Sequence, residues 1–136
     1  PNGLKNKGDS SALISHIDLY RTLSEFIGLD LVKGEAIDSE NILPALLDAK
    51  VQGRDEMLEE SFTLSLRSGK WKYIAPFNGT TPEWLANKTA IENGLQTSPQ
   101  LFDITTDWQE QVNLAAEYPE VVERLQQRIN EIKNMN

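Results

Sequence analysis

No cysteine occurs among the 136 residues. Disulfides, thiolate metal sites and cysteine nucleophiles are therefore all excluded within this chain. Histidine is nearly as scarce, since His16 is the sole example. A serine triad needs a base held by a carboxylate beside a nucleophile, and a metal site converges several ligands. A lone histidine at a strand–helix junction reads first as a local hydrogen-bonding group. Cations are also short, with 13 Lys and Arg against 21 Asp and Glu for a net charge of −8. That balance argues against nucleic acid as the main partner, because phosphate contacts need basic side chains. Apolar runs stay far below the roughly 18 residues of a membrane span.

What is present is ordinary for a globular chain, at 39% hydrophobic and 25% charged residues. The length suits a sizeable core. The chain starts at Pro1 with no initiator Met and enters a polar Gly/Lys/Asn stretch, so it reads as a piece of a longer protein.

Residues 12–17 are largely apolar and read as extended. Asp18 suits a helix N-cap, Leu19, Leu23, Phe26 and Ile27 recur at helical spacing, and Gly28 suits the C′ position. A second, short helix is expected behind Asp38 or Ser39, packing through Ile42, Leu43, Leu46 and Leu47, with Pro44 in its first turn. Beyond a polar connector, Leu58, Phe62, Leu64 and Leu66 alternate with mostly polar residues and predict antiparallel sheet. A two-residue turn at Ser68-Gly69 places Arg67 opposite Lys70, Leu66 opposite Trp71 and Leu64 opposite Tyr73. Leu64, Leu66, Trp71 and Tyr73 then share an apolar face, and Ser65, Arg67, Lys70 and Lys72 take the other.

Residues 75–99 are rich in Pro and Gly, with a short helix expected within 83–91. Leu101, Phe102 and Ile104 suit a last strand. A terminal helix over 117–133 carries Val121, Val122, Leu125, Ile129 and Ile132 as one stripe.

Few residues invite a chemical role. Asp103, Asp107 and Glu110 supply oxygens that suit calcium, but not at EF-hand spacing. They read better as turn groups, with Glu110 near a helix start. Arg67, Lys70 and Lys72 form a local basic cluster that calls for an anionic neighbour, most simply an acidic side chain of the same protein. Trp71 belongs to the core face. Trp84, in the Pro/Gly-rich stretch, is a better binding-rim residue. Asn78-Gly79-Thr80 and Asn87-Lys88-Thr89 match the N-glycosylation pattern, which matters only for a secreted eukaryotic chain.

Four blocks in order carry a resemblance. Ser15-His16-Ile17-Asp18-Leu19-Tyr20-Arg21-Thr22-Leu23, ending at Gly28, resembles the SHIDLYPTL segment of sulfatases. Asp38-Ser39-Glu40-Asn41-Ile42-Leu43-Pro44-Ala45-Leu46 resembles their D-G-x-S-L-L-P-x-L segment. Residues 66–74, LRSGKWKYI, resemble their R-x-G-x-W-K-Y-I hairpin, and residues 101–115 resemble their LYDLxxDPxExxNLA tail. Arg21 and Trp108 stand where the family usually has proline, and Ser39 and Asn41 replace its Gly and Ser. The nearest flavour is the arylsulfatase and N-acetylgalactosamine-6-sulfatase-like branch.

The resemblance implies an α+β C-terminal part of a sulfatase. Residues 1–52 would be the end of the large alkaline-phosphatase-like α/β domain, as strand, helix and short helix. Residues 53–136 would be the C-terminal subdomain, a small antiparallel sheet packed by the terminal helix. It implies a parent that hydrolyses sulfate esters of a carbohydrate or aryl group with calcium and a formylglycine, working in the periplasm or outside the cell. The C/S-x-P-x-R motif that yields formylglycine is absent here, so no catalytic or metal residue is carried over, and this piece alone is expected to be inactive. Its implied partners are the rest of the sulfatase chain and a sulfated carbohydrate. Trp84, Lys88 and Arg67 are the candidate substrate-rim residues. The rivals are a related phosphonate or phosphate ester hydrolase and an independent carbohydrate-binding module.

Overall fold

The computed structural model describes residues 3–86 and 94–135. The chain divides into two compact units, Pro1–Met57 and Leu58–Asn136.

In the first unit residues 12–17, expected to be extended, form no strand. Leu13 is instead tied by its carbonyl, which accepts from Arg54 N at 2.8 Å. Gly53 makes that approach possible, because a Cβ there would sit 2.0 Å from the Leu13 oxygen. Helix α1 (Asp18–Phe26) closes with Gly28 N donating to Glu25 O and Leu29 N to Ser24 O, the paired bonds of a Schellman motif, with Gly28 at φ +72°. Its start differs from the expectation. Ile17 occupies the cap position and Asp18 is the first helical residue. One Asp18 oxygen accepts from Ser15 N at 2.9 Å. The other accepts from Glu40 N at 2.9 Å and Arg54 Nη1 at 2.6 Å. The carboxylate thus joins three segments rather than capping its own helix.

Helix α2 (Leu43–Leu47) carries Pro44 in its first turn. Neither Asp38 nor Ser39 caps it. Asn41 Oδ1 accepts from Leu43 N at 2.9 Å, and Ser39 Oγ instead accepts from Arg21 N at 3.2 Å. Thr22 Oγ1 accepts from Ile42 N at 3.0 Å.

The sheet runs in the order β1 (Glu56–Glu60), β2 (Leu64–Ser68), β3 (Trp71–Ile74) and β4 (Gln100–Asp103). The β2–β3 register pairs Leu66 with Tyr73, Arg67 with Lys72 and Ser68 with Trp71. The turn residues are therefore Gly69 and Lys70, one position later than Ser68-Gly69. Gly69 has φ +56° and Lys70 does not, which is the sign pattern of a type II′ turn and suits glycine at its first central position. Each facing pair consequently moves by two residues, and because side chains alternate with period two the apolar face survives intact. Phe62 lies outside the strands, in the bend between β1 and β2.

Short helix α3 (Glu83–Ala86) follows β3. Helix α4 (Pro119–Asn134) lays Leu125 and Ile129 on Leu66, Trp71, Tyr73 and Leu101, flanked by Val121, Val122 and Ile132. Tyr73 donates its hydroxyl hydrogen to Gln126 Oε1 at 2.7 Å, and burial raises its pKa. Edge strand β4 is closed by the following loop. Asn113 Oδ1 accepts from Leu101 N at 3.0 Å, and Leu101 O accepts from Leu114 N at 2.8 Å. This four-stranded antiparallel sheet with helices is an α+β arrangement.

Candidate functional site

The sheet face away from α4 carries the charged residues, because the alternation that turns Leu66 and Tyr73 toward the core turns Ser65, Arg67 and Lys72 the other way. Arg67 and Lys72 face each other across the ladder, a like-charge pair that needs an anion. Glu110 supplies it, with Oε1 2.7 Å from Lys72 Nζ. Glu110 takes φ +56° to do so, uncommon for a residue with a long side chain. It does not start a helix. At the turn, Lys70 Nζ is 2.7 Å from Asp103 Oδ2 and lies 4.4 Å from the Trp71 ring centroid. Lys70 and Lys72 of the basic cluster thus find acidic partners within the same unit. Arg67 Nε is buried and makes no hydrogen bond.

Asp103 and Asp107 act as turn groups. Asp103 Oδ1 accepts from Thr105 N and Oγ1 at 3.2 and 2.6 Å. The Lys70 and Thr105 hydrogen bonds hold the Asp103 carboxyl below the usual carboxylate range. Asp107 accepts from Gln111 N and Val112 N at 2.8 Å each. The three carboxylates therefore serve three different sets of donors, and among the described residues no three His, Cys, Asp or Glu side chains group to hold a metal ion.

A cavity of about 400 Å³ opens on this same charged face. Ser65, Lys72 and Ile74 of β2 and β3, Glu59 and Glu60 at the end of β1, Phe62 in the β1–β2 bend and Glu110 in the loop after β4 line it. Phe62 packs against two other rings, with centroids 6.4 Å from Phe77 and 6.1 Å from Trp84. Trp84, on α3, is 67% exposed. Of the rim residues expected from sequence, Trp84 thus meets the cavity through Phe62, and Arg67 lies across the ladder from its Lys72. Lys88 lies outside the described residues, as does Asn87-Lys88-Thr89. Sequence reading missed Phe62 by counting it into an alternating strand. The polar run Glu59-Glu60-Ser61 just before it is the signal that the alternation breaks there.

No family model matches the chain. The N-acetylgalactosamine-6-O-sulfatase of Bacteroides thetaiotaomicron is 32% identical over 124 residues, 90% of this chain and 24% of that protein. Arylsulfatase K of Rattus norvegicus is 28% identical over 97% of this chain and 23% of its own length. A solved structure from work on the metabolism of multiple glycosaminoglycans by Bacteroides thetaiotaomicron matches with a TM-score of 0.74 and 30% identity, over 92% of this chain and 26% of that one. The chain belongs to the sulfatase family. It spans about a quarter of the length of the sulfatases it matches, and the expected likeness to a sulfatase C-terminal part is borne out. The donors present among the described residues do not fit the family's calcium, nor does the sequence fit its formylglycine. The sequence holds no cysteine and no Ser-x-P-x-R run, and its clustered carboxylates are engaged elsewhere. No catalytic step is assigned to these residues.

Proposed function

We infer that this sulfatase segment is the C-terminal part of a sulfuric ester hydrolase acting on a sulfated carbohydrate or aryl sulfate, with a structural and substrate-rim role. The carrying observation is the 32% identity to an N-acetylgalactosamine-6-O-sulfatase across 90% of this chain. Calcium and a formylglycine belong, on this reading, to the rest of the parent chain. Residues 1–52 end its large domain, and residues 53–136 form the subdomain that borders the substrate.

Helix α1 supports this reading. It buries Asp18, Thr22 and Ser24, while Leu23, Phe26 and Ile27 are 55%, 65% and 71% exposed. Such a helix is inverted for a chain that stands alone, and the remaining three quarters of a sulfatase is the natural cover. Trp84, Arg67 and Lys88 remain the proposed rim.

The test is to compare this chain with a version joined to its own upstream sequence. The longer protein releases sulfate from an aryl sulfate or a 6-sulfated N-acetylgalactosamine, and the 136-residue chain does not. Turnover by the short chain that survives repurification would sink the assignment.

A further inference from the structure

The cavity beside Phe62 is lined by neither Trp84 nor Arg67, and its chemistry differs from that of a sulfate site. Its volume, about 400 Å³, lies in the range of small-ligand pockets. Among the described residues its ionisable lining comprises Glu59, Glu60, Glu110 and Lys72, a net acidic set that repels a sulfate ester. Nor is it a cation cage, because the described residues hold no metal-binding group of carboxylates. The polar groups that line the cavity differ in kind. Lys72 donates, the glutamates accept, and the Ser65 hydroxyl does either. A lysine or arginine side chain would use only the acceptors and would leave the Lys72 and Ser65 donors unused. A sugar hydroxyl, which donates and accepts, uses both.

The apolar wall points the same way. Phe62 is 41% exposed, yet it is braced by Phe77 and Trp84. A ring packed by its neighbours and still partly exposed offers a stacking surface that loses little freedom on binding. In the same lining, Glu110 combines a positive φ with a carboxylate 2.7 Å from Lys72, a backbone strain of the kind found at ligand sites.

We propose that this cavity binds an uncharged pyranose unit, stacked on Phe62 and hydrogen-bonded by Glu59, Glu60, Lys72 and Glu110. Resting on the sulfatase reading for its class of ligand, the site would select the unsulfated neighbour of the residue that loses sulfate.

The test is saturation-transfer NMR on this chain with methyl N-acetyl-β-galactosaminide and its 6-sulfated form, together with amide shift mapping. The uncharged sugar receives saturation and shifts the amides of Phe62, Ser65 and Lys72, and the sulfated form binds more weakly. Phe62→Ala weakens binding about tenfold, as expected for loss of a stacked ring. Glu59→Gln with Glu60→Gln, both on the exposed surface, narrows the gap between the two sugars. Absence of transfer to the uncharged sugar, equal or tighter binding of the sulfated form, unchanged binding in Phe62→Ala, or displacement of the sugar by an oligolysine peptide each overturns the proposal. Failure of the longer chain to release sulfate leaves this binding result standing, so the two readings fail separately.

Discussion

Arg54 Nη1 stands 2.6 Å from Asp18 Oδ1, with the aspartate side chain fully buried and the arginine side chain 12% exposed. The arginine also reaches Glu40 Oε1 at 3.1 Å and Asp38 O at 3.1 Å. One guanidinium and one carboxylate thereby fasten the start of α1, the 38–40 segment and the 54 segment together. Removing one partner of a buried pair strands the other charge, which typically costs about 3–5 kcal/mol. Asp18→Ala and Arg54→Ala are each expected to lower stability by roughly that amount. The double variant is expected to lose clearly less than the sum, since neither charge is then stranded. Urea unfolding of the three variants measures the coupling, and strict additivity would refute it.

Gly53→Ala is expected to be disruptive although it adds a single methyl. The new carbon would fall 2.0 Å from the Leu13 carbonyl oxygen, a backbone atom that no rotamer change moves aside. Separation of the two segments would break the Arg54 N to Leu13 O bond and disturb the neighbouring Asp18 pair. Overpacking of this kind costs about 1–3 kcal/mol, and more where a hydrogen bond goes with it. Thermal unfolding should show the loss, whereas alanine at the exposed Gly8 position has open space around it and tests only its φ of +143°.

Much of the second unit was legible, and the reason is periodicity. Leu66 and Tyr73 reach the core even though their pairing was misplaced, because an error of two residues leaves parity unchanged. The turn is ambiguous in sequence because Ser68-Gly69 and Gly69-Lys70 are both plausible dipeptides, and the pairing of Ser68 with Trp71 separates them. The stripe Val121, Val122, Leu125, Ile129 and Ile132 was readable because the partner that buries it lies in the same unit. Helix α1 shows the converse. Its apolar residues are periodic, but periodicity says only which residues share a face, not what covers it. Asp18 read as a cap because its engagement with Arg54 spans 36 positions, beyond any local rule. Glu110 read as a helix-start residue for the same reason, its partner Lys72 lying 38 positions away.

The Asp103 carboxyl makes stability pH-dependent in a stated direction. The hydrogen bond from Lys70, then that from Thr105, lowers its pKa in the folded state. The folded chain therefore binds the charged form better than the unfolded chain does. That contribution is present above the unfolded value of about 3.9 and is lost as pH falls through the lower folded value. Lys70→Met removes the leading cause, so the Asp103 pKa should rise toward its ordinary value. The stability gap between parent and variant should be widest near neutrality and shrink in acid, leaving the part due to the Lys70–Trp71 ring contact. Carbon-detected titration of the carboxyl, with urea unfolding across the acid range, checks both. A gap that stays constant with pH would show that Asp103 is not the linked group.

The exposed face of α1 gives the last prediction, and it depends on chain length. Leu23, Phe26 and Ile27 lie on the surface of this chain, where a charged substitution disturbs little packing. Leu23→Lys with Phe26→Glu should therefore leave its unfolding midpoint within about 0.5 kcal/mol of the parent in stability, as for other surface changes. It should also reduce self-association and binding of a hydrophobic dye, because the apolar patch is broken. In the chain joined to its upstream sequence, the same two substitutions fall in a packed interface under the proposed function. There they bury unpaired charge, and the expected loss is several kcal/mol, with a matching fall in soluble yield. Proteolysis and unfolding of both lengths, with and without the substitutions, separate the cases. Equal effects in the short and long chains would mean that the upstream sequence does not cover this helix.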